Sequence, residues 1–205
     1  MRRLAGNDQG RGRRATGRAG RGAAGVNKRV VDGVLEAPTL ETERLVLRAH
    51  RPEDFDAYAA MWGDPEMARY VGGKPFSREE AWARMLRHRG LWAMLGFGFW
   101  VVTDRADGTL IGEAGVQELN RDIDPPIAGM LEAGWGVMPR VQGRGLAREA
   151  ARAAIGWAET RFPSRPFACL IDAGHVRSIR LARDLGFHDF AVTRYAGEQV
   201  VVMRR

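Results

Sequence analysis

A glycine-rich junction between a strand and a helix constrains this 205-residue chain more than any other segment. The apolar run at 131–137 predicts a strand, Pro139 turns the chain, and a small-residue face predicts a long helix at about 145–161. Gly143 and Gly145 let the backbone approach a ligand without a side chain in the way. The unbonded amides that enter the helix lie beside the positive end of its dipole, which favours a bound pyrophosphate.

The junction departs from the two common nucleotide-binding motifs. A Walker loop ends in Gly-Lys followed by Ser or Thr, and the sequence has no such run. A Rossmann fingerprint needs a third glycine where Arg148 stands. The junction is therefore predicted to bind a phosphate group in another way, with Arg144 and Arg148 adding positive charge at its rim.

The rest of the pattern predicts strands and helices around one sheet. Ser77 and Glu80 form a capping box that opens a helix, and Asp107-Gly108 marks a tight turn between two strands. Strands are predicted at 45–47, 97–103, 110–118, 131–137, 166–172, 189–195 and 199–203, and helices from about 51, 77, 145 and 178. This mixed order predicts an α/β fold, with layers of helices around one mixed sheet.

Residues 1–36 differ from the rest in being rich in Gly, Arg and Ala, with no aromatic residue. Nine basic and three acidic residues give this stretch six of the seven net positive charges of the chain. Such a composition buries too little apolar surface to offset the entropy of ordering, so we expect a disordered tail at 1–36 before one domain at 37–205. Because the tail offers no ring on which bases stack, we do not expect a nucleic acid partner.

The sequence disfavours several classes of protein. The longest apolar run, at 91–102, has 12 residues, whereas a membrane helix needs about 18. The N-terminus has no apolar segment of the kind found in secretory signals. Cys169 is the only cysteine and the four histidines show no ligand spacing, so neither a disulfide nor a metal is expected. We expect a cytoplasmic protein without a membrane partner.

Four segments of the chain resemble the GNAT superfamily of N-acetyltransferases. Gln142, Gly145 and Ala147 fill its motif A, Gln/Arg-x-x-Gly-x-Gly/Ala. The opening stretch at 40–48, Asp64-Pro65-Glu66 and the stretch at 178–187 resemble the branch of ribosomal-protein N-terminal (RimJ/RimL-like) acetyltransferases. The resemblance covers about 40–203 and implies a GNAT-type mixed, mostly antiparallel twisted sheet, with helices on both faces.

The resemblance also implies a cosubstrate, acetyl-CoA, and a primary amine that attacks its thioester directly in a ternary complex. The strand before motif A splays from its neighbour in this family, so Val137 and Met138 are expected to meet the pantetheine and the thioester carbonyl. The pyrophosphate is expected on the loop amides. The residues of that loop are Gln142, Gly143, Arg144, Gly145, Leu146 and Ala147.

The catalytic groups are predicted on the same basis. An ammonium cannot attack, so a base must remove its proton, and Glu132 is the first candidate with Glu113 second. Ser178 stands where branch members carry a serine near the sulfur, although it also suits the N-cap of a helix. His175 replaces a frequent asparagine and is expected to take over its cofactor contacts or to act as a base, while Ala182 and Arg183 occupy the positions near that of the usual tyrosine acid.

The sequence alone leaves the amine acceptor and the oligomeric state open. The acceptor is either a protein N-terminal amine or a small-molecule amine, because acceptor specificity lies in the variable segments before residue 97 and at 119–130. The alternative to an enzyme is a non-catalytic acyl-CoA-binding or regulatory module that keeps the cofactor site without turnover. A homodimer is compatible with the sequence, which carries no interface signal.

Overall fold

The computed structural model describes residues 30–31 and 34–205, with side chains from residue 36 onward. Most of the tail predicted at 1–36 lies outside the described residues. The strands are β1 Val30–Val31, β2 Val34–Leu35, β3 Leu40–Glu41, β4 Leu45–Arg48, β5 Phe99–Asp104, β6 Leu110–Gln117, β7 Leu131–Val137, β8 Phe167–Asp172, β9 His188–Tyr195 and β10 Glu198–Arg204. The α-helices are α1 Phe55–Trp62, α2 Pro65–Ala68, α3 Arg78–Leu95, α4 Leu146–Arg161 and α5 Val176–Asp184.

Eight strands form one open sheet in the order β3-β4-β5-β6-β7-β8-β10-β9, while β1 and β2 pair with each other. Neighbours in the eight-stranded sheet pair antiparallel, except β7 and β8, which run parallel. The long helix α4 connects these two strands, as a parallel pair requires. The predicted mixed, mostly antiparallel sheet is thus confirmed.

Helices cover both faces of the sheet. On one face, α1, α2 and α3 pack with Val101 and Leu110 around Tyr58 and Trp62. On the other face, the alanine stripe of α4 and the apolar side of α5 pack against β7, β8 and β10. The central strands β5 and β6 are buried along nearly their whole length because both faces are covered.

Local sequence signals account for most helix boundaries. Ser77 accepts a hydrogen bond from the Glu80 amide at 3.1 Å, and the Glu80 carboxylate accepts one from the Ser77 amide at 2.7 Å. This capping box begins α3 as predicted, and left-handed Gly96 ends the helix. The last helix, in contrast, begins at Val176, two residues before the predicted start at 178, and His175 is its N-cap residue. The interpretation of Ser178 as an N-cap is therefore wrong.

In the described part of the chain, no helix has the length and the apolar character needed to span a membrane.

Candidate functional site

A wedge between β7 and β8 is the centre of the candidate site. Their ladder contains only the pairs Leu131–Phe167 and Glu132–Ala168, so the later residues of β7 have no strand partner on that side. Unpaired strand backbone is costly unless water or a ligand meets it. Because the two strands pair only at their first residues, the wedge widens toward their carboxyl ends, in front of the glycine-rich loop.

The backbone direction along β7 decides which amides face the wedge. The Met138 amide donates to the Ile111 carbonyl of β6 at 2.8 Å, and the Leu131 amide donates to the Pro166 carbonyl beside β8 at 2.9 Å. Because directions alternate along a strand, Val137 shares the orientation of Leu131 and presents its N–H to the wedge. Of the two residues predicted to meet the thioester, Val137 thus offers the free amide, whereas the amide of Met138 is already bonded.

The loop that follows β7 is held open by its glycines. Gly143 and Gly145 have φ angles of 76° and 78°, in the left-handed region that residues with a Cβ avoid. Within the described contacts, no acceptor meets the amides of residues 143–148. Gln142 turns its side chain back, and its Nε2 donates to the Val137 carbonyl at 3.2 Å. The predicted anion site is therefore an exposed cradle of N–H groups at the start of α4.

A clamp from the N-terminal part of the domain fixes this loop. Arg44 donates from Nη1 to the Arg144 carbonyl at 2.9 Å and from Nε to Glu149 at 2.7 Å. Thr42 also donates to Glu149, at 2.6 Å. The carboxylate lies in the first turn of α4, where it would repel a pyrophosphate, and Arg44 neutralises it. Sequence reasoning missed this clamp.

The opposite wall of the wedge carries His175 and Ser178. Indole Nε1 of Trp135, on β7, donates to Ser178 Oγ at 3.1 Å, so a side-chain hydrogen bond crosses between the two walls. The His175 ring lies 4.1 Å, centroid to centroid, from the ring of Tyr70. Burial lowers the pKa of His175, against a smaller opposing effect of Asp172, so its imidazole is neutral near pH 7.

The short helix α2 covers the wedge on the side of α1 and α3. A Cβ placed on Gly136 of β7 would meet Met67 Cε at 2.8 Å, so the methionine lies directly on that strand. Tyr70, which follows α2, reaches the far wall at His175. An acceptor that approaches the thioester from this face must therefore pass Met67 and Tyr70.

Glu132, the predicted base, is buried at 5% exposure and already bonded. Its carboxylate accepts from Gln117 at 2.8 Å and from two nitrogens of Arg121 at 2.6 and 2.7 Å. A proton from an amine would have to compete with this bidentate ion pair. The role of Glu132 stays a prediction, and the ion pair weighs against it.

Glu113, the second candidate, is 2% exposed and held even more firmly. It accepts from the Tyr58 hydroxyl at 2.5 Å and pairs with Arg84. Burial alone would raise the pKa of Glu113, but Arg84 and then His88 hold that pKa well below its ordinary value. The carboxylate is thus a fixed anion that balances a buried arginine.

Two buried histidines adjoin this ion pair. The His88 ring stacks between His50 and Phe99, with centroid distances of 5.3 and 4.8 Å. All four ring nitrogens of His50 and His88 lack a hydrogen-bond partner among the described residues, although His88 Nε2 comes within 3.5 Å of Glu113. Burial, and then the neighbouring His88, lowers the pKa of His50 from 6.5 to about 3. This cluster is therefore neutral apart from the Arg84–Glu113 pair.

A cavity of about 950 Å³ does not coincide with the wedge. Its lining comes from the 36–40 segment, the 48–53 loop and α3, beside β3 at the far edge of the sheet. The wedge itself is an open cleft, defined by the short β7–β8 ladder and by the unbonded amides beside it.

The structure thus brings the predicted loop residues, Val137, His175 and Ser178 to one cleft, and places Glu132 where β7 and β8 still pair. The sequence patterns did not indicate the contacts made by Arg44, Trp135 and Tyr70. No group of His, Cys, Asp or Glu suited to a metal ion occurs among the residues that the structure describes.

Comparison with known proteins agrees with this geometry. Residues 44–188 match the acetyltransferase (GNAT) domain family. The uncharacterized N-acetyltransferase p20 of Bacillus licheniformis is 26% identical over 158 residues, which are 76% of this chain and 85% of that protein. A solved structure described as a GNAT-family acetyltransferase of Bordetella pertussis superposes with a TM-score of 0.72 at 30% identity, covering 82% of this chain and 98% of the other.

A more distant neighbour is the ribosomal-protein-S5-alanine acetyltransferase of Vibrio fischeri. It superposes with a TM-score of 0.65 at 17% identity, covering 82% of this chain and 95% of the other. At that identity the likeness shows the fold alone.

Proposed function

Since the chain belongs to the GNAT acetyltransferase family, we propose that it transfers an acetyl group from acetyl-CoA to a primary amine, by direct attack within a ternary complex. The wedge is the observation that carries the proposal. It combines unpaired backbone on β7 with an exposed cradle of amides at the start of α4. Pantetheine can complete the strand ladder, and the pyrophosphate can accept from the cradle.

The residues of the cradle fit a pyrophosphate group. A Cβ on Gly143 would meet nothing within 4 Å, so the space before the loop is open. Arg44 balances Glu149, which leaves the helix dipole and the exposed Arg144 as positive contributions. Residues 142–147 are accordingly assigned to the pyrophosphate, and Val137 and Met138 to the pantetheine and the thioester.

The Val137 amide supports the acyl-transfer step. It points into the wedge, where it can donate to the thioester carbonyl as negative charge develops on the oxygen. Ser178, on the opposite wall, is assigned to the sulfur of the leaving group. Attack forms a C–N bond, breaks the C–S bond, and leaves one proton to remove from the amine and one to deliver to the thiolate.

For removal of the amine proton, the contacts favour His175 over the two carboxylates. Its imidazole is half-buried at the cleft and neutral near pH 7, whereas Glu132 and Glu113 are each paired with an arginine. A neutral imidazole accepts a proton without first breaking an ion pair. We therefore rank His175 first as the base, with Glu132 next.

The acceptor is proposed at the level of a primary amine. The neighbouring ribosomal-protein acetyltransferase of Vibrio fischeri acts on a protein, and that relationship is distant. Met67 and Tyr70 lie on the α2 side of the wedge, where an amine carried by either a peptide or a small molecule would approach.

Calorimetric titration with acetyl-CoA, followed by release of the CoA thiol in the presence of an amine panel, tests the proposal. Gly145→Glu should abolish acetyl-CoA binding, because it places a carboxylate in the amide cradle. Gly108→Glu is the matched control: Gly108 has nearly the same φ, 75°, in the turn between β5 and β6, so it introduces similar strain far from the cradle.

The outcomes separate the candidate functions. Binding in the parent and in Gly108→Glu, loss in Gly145→Glu, and thiol release with an amine would support an acetyltransferase. Binding without release on any amine would favour the alternative, a non-catalytic acyl-CoA-binding module. A folded parent that binds no acetyl-CoA would refute both.

A further inference from the structure

We infer that Trp135 is a positioning residue, which directs the Ser178 hydroxyl proton toward the sulfur of the CoA leaving group; this inference rests on the proposed function. The hydrogen bond that joins the two walls of the wedge carries it. Trp135 Nε1 lies 3.1 Å from Ser178 Oγ, and an indole nitrogen only donates. The serine oxygen is therefore the acceptor, and its own proton must point elsewhere.

The serine proton has no other use in the described structure. A helical serine commonly donates to the carbonyl four residues back, here that of Gly174. No such bond forms, and in the described structure the hydroxyl of Ser178 has one hydrogen bond, which it accepts from Trp135. The hydroxyl group is half-buried in the cleft with one lone pair engaged and its hydrogen free.

The indole is itself held in place. Trp135 is half-buried on β7 and packs against the apolar clusters on the α4 side of the sheet. Its backbone belongs to the unpaired part of the strand, so the residue borders the wedge through both main chain and side chain. A rigid donor on one wall thus fixes the rotamer of a small hydroxyl on the other wall.

The chemical consequence concerns the leaving group. When the C–S bond breaks, the sulfur carries negative charge, and a hydroxyl that points at it donates a hydrogen bond or its proton. This arrangement supplies the acid role from Ser178. Ala182, near the position where related sequences carry a tyrosine, is fully buried and its side chain has no polar atom. The reaction balances, because the serine regains its proton from the amine by way of the base or solvent.

The test uses Trp135→Phe, which keeps an aromatic ring and removes the N–H. We expect kcat to fall about tenfold while KM for acetyl-CoA changes less than about twofold, since a misdirected acid affects the transition state and not binding. Ser178→Ala should cost at least as much, and the double variant should be no slower than Ser178→Ala. Trp157→Phe is the matched control, because its indole donates to no acceptor in the described contacts and lies outside the cleft.

A second readout needs no acceptor. The pKa of the thiol of bound CoA, followed by the ultraviolet absorbance of the thiolate, should rise by about one unit in Trp135→Phe, because a hydrogen bond to the charged form is lost. Ser178→Ala removes the donor itself, so it should raise the pKa of the CoA thiol by at least as much as Trp135→Phe does.

The results distinguish the inference from the proposed function. If CoA binds and the Trp135→Phe variant matches the parent in kcat and thiol pKa, while Ser178→Ala differs, the positioning role is overturned and the proposed function stands. If the folded parent binds no CoA, both are overturned. A fall in kcat and a rise in the pKa of the CoA thiol in both Trp135→Phe and Ser178→Ala, absent from Trp157→Phe, would establish the positioning role.

Discussion

The buried histidine His50 predicts a steep loss of stability in mild acid. Its ring is 3% exposed, touches Tyr58 and His88, and has no hydrogen-bond partner in the described structure. Burial is the main reason that its pKa falls from 6.5 to about 3, with His88 and Arg84 lowering it further and Glu113 and Asp54 opposing. Protonating this ring in the folded state is therefore unfavourable.

The sign and size of the effect follow from proton linkage. Between pH 6.5 and about 3 the unfolded chain binds the proton and the folded chain does not, so stability is retained above pH 6.5 and falls as the pH drops. At about 1.4 kcal/mol per pKa unit, the full loss is about 5 kcal/mol below pH 3. Between pH 7 and pH 5 the loss is about 2 kcal/mol. His88, whose pKa is also lowered by burial, adds in the same direction.

The assay is urea unfolding at pH 7, 6 and 5, with the free energy of unfolding extrapolated to water. His50→Gln removes the titrating ring, so its free energy should fall by about 2 kcal/mol less than that of the parent over this range. His188→Gln is the matched control, since His188 is exposed on the edge strand β9 and water hydrates it in both states. Equal slopes for the parent and His50→Gln would refute the reasoning.

Three further predictions concern the loop, its clamp and the buried ion pair. Gly145→Ala and Gly108→Ala should each cost about 1 kcal/mol in thermal unfolding, because both glycines are left-handed, but only Gly145→Ala should weaken acetyl-CoA binding in calorimetry. Arg44→Ala should weaken that binding about tenfold, by leaving Glu149 unneutralised beside the cradle, and high salt should narrow the difference. Glu113→Gln should cost about 3 kcal/mol in urea unfolding because Arg84 is left without its partner, and a loss under 1 kcal/mol would contradict the assigned burial.

The fold could be predicted well from the sequence because its signals are local. The Ser77–Glu80 capping box and the strand at Leu131–Val137 appear where the pattern places them. The errors in the predicted elements occur at their ends, where tertiary contacts decide which residue comes first. The strand expected at 97–103 begins at Phe99, and the last helix begins at Val176, because the turn that starts it is closed by Asp172 and not by a serine cap.

In the candidate site, too, features formed by neighbouring residues could be predicted, whereas contacts between distant residues could not. The loop from Gln142 to Ala147 is contiguous, so a motif reveals it, and the structure adds that its two glycines are left-handed. The Arg44–Glu149 clamp joins residues 105 positions apart, and the Trp135–Ser178 bond joins residues 43 apart. No periodicity or spacing rule links such pairs, since only the packing of α4 and α5 on the sheet brings them together.

The two carboxylates show why residue type alone misleads in the search for a base. Glu132 lies on β7, which borders the wedge, and Glu113 lies on the adjacent strand β6. Each, however, meets an arginine from outside the sheet: Arg121 from the loop after β6, and Arg84 from α3. Both carboxylates are therefore already engaged by an arginine, and an incoming amine would have to displace that contact. His175, on the wall of the wedge beside Tyr70, forms no ion pair with the residues that the structure describes. We therefore expect His175→Ala to slow transfer more than Glu132→Gln does, and the reverse order would restore Glu132 as the base.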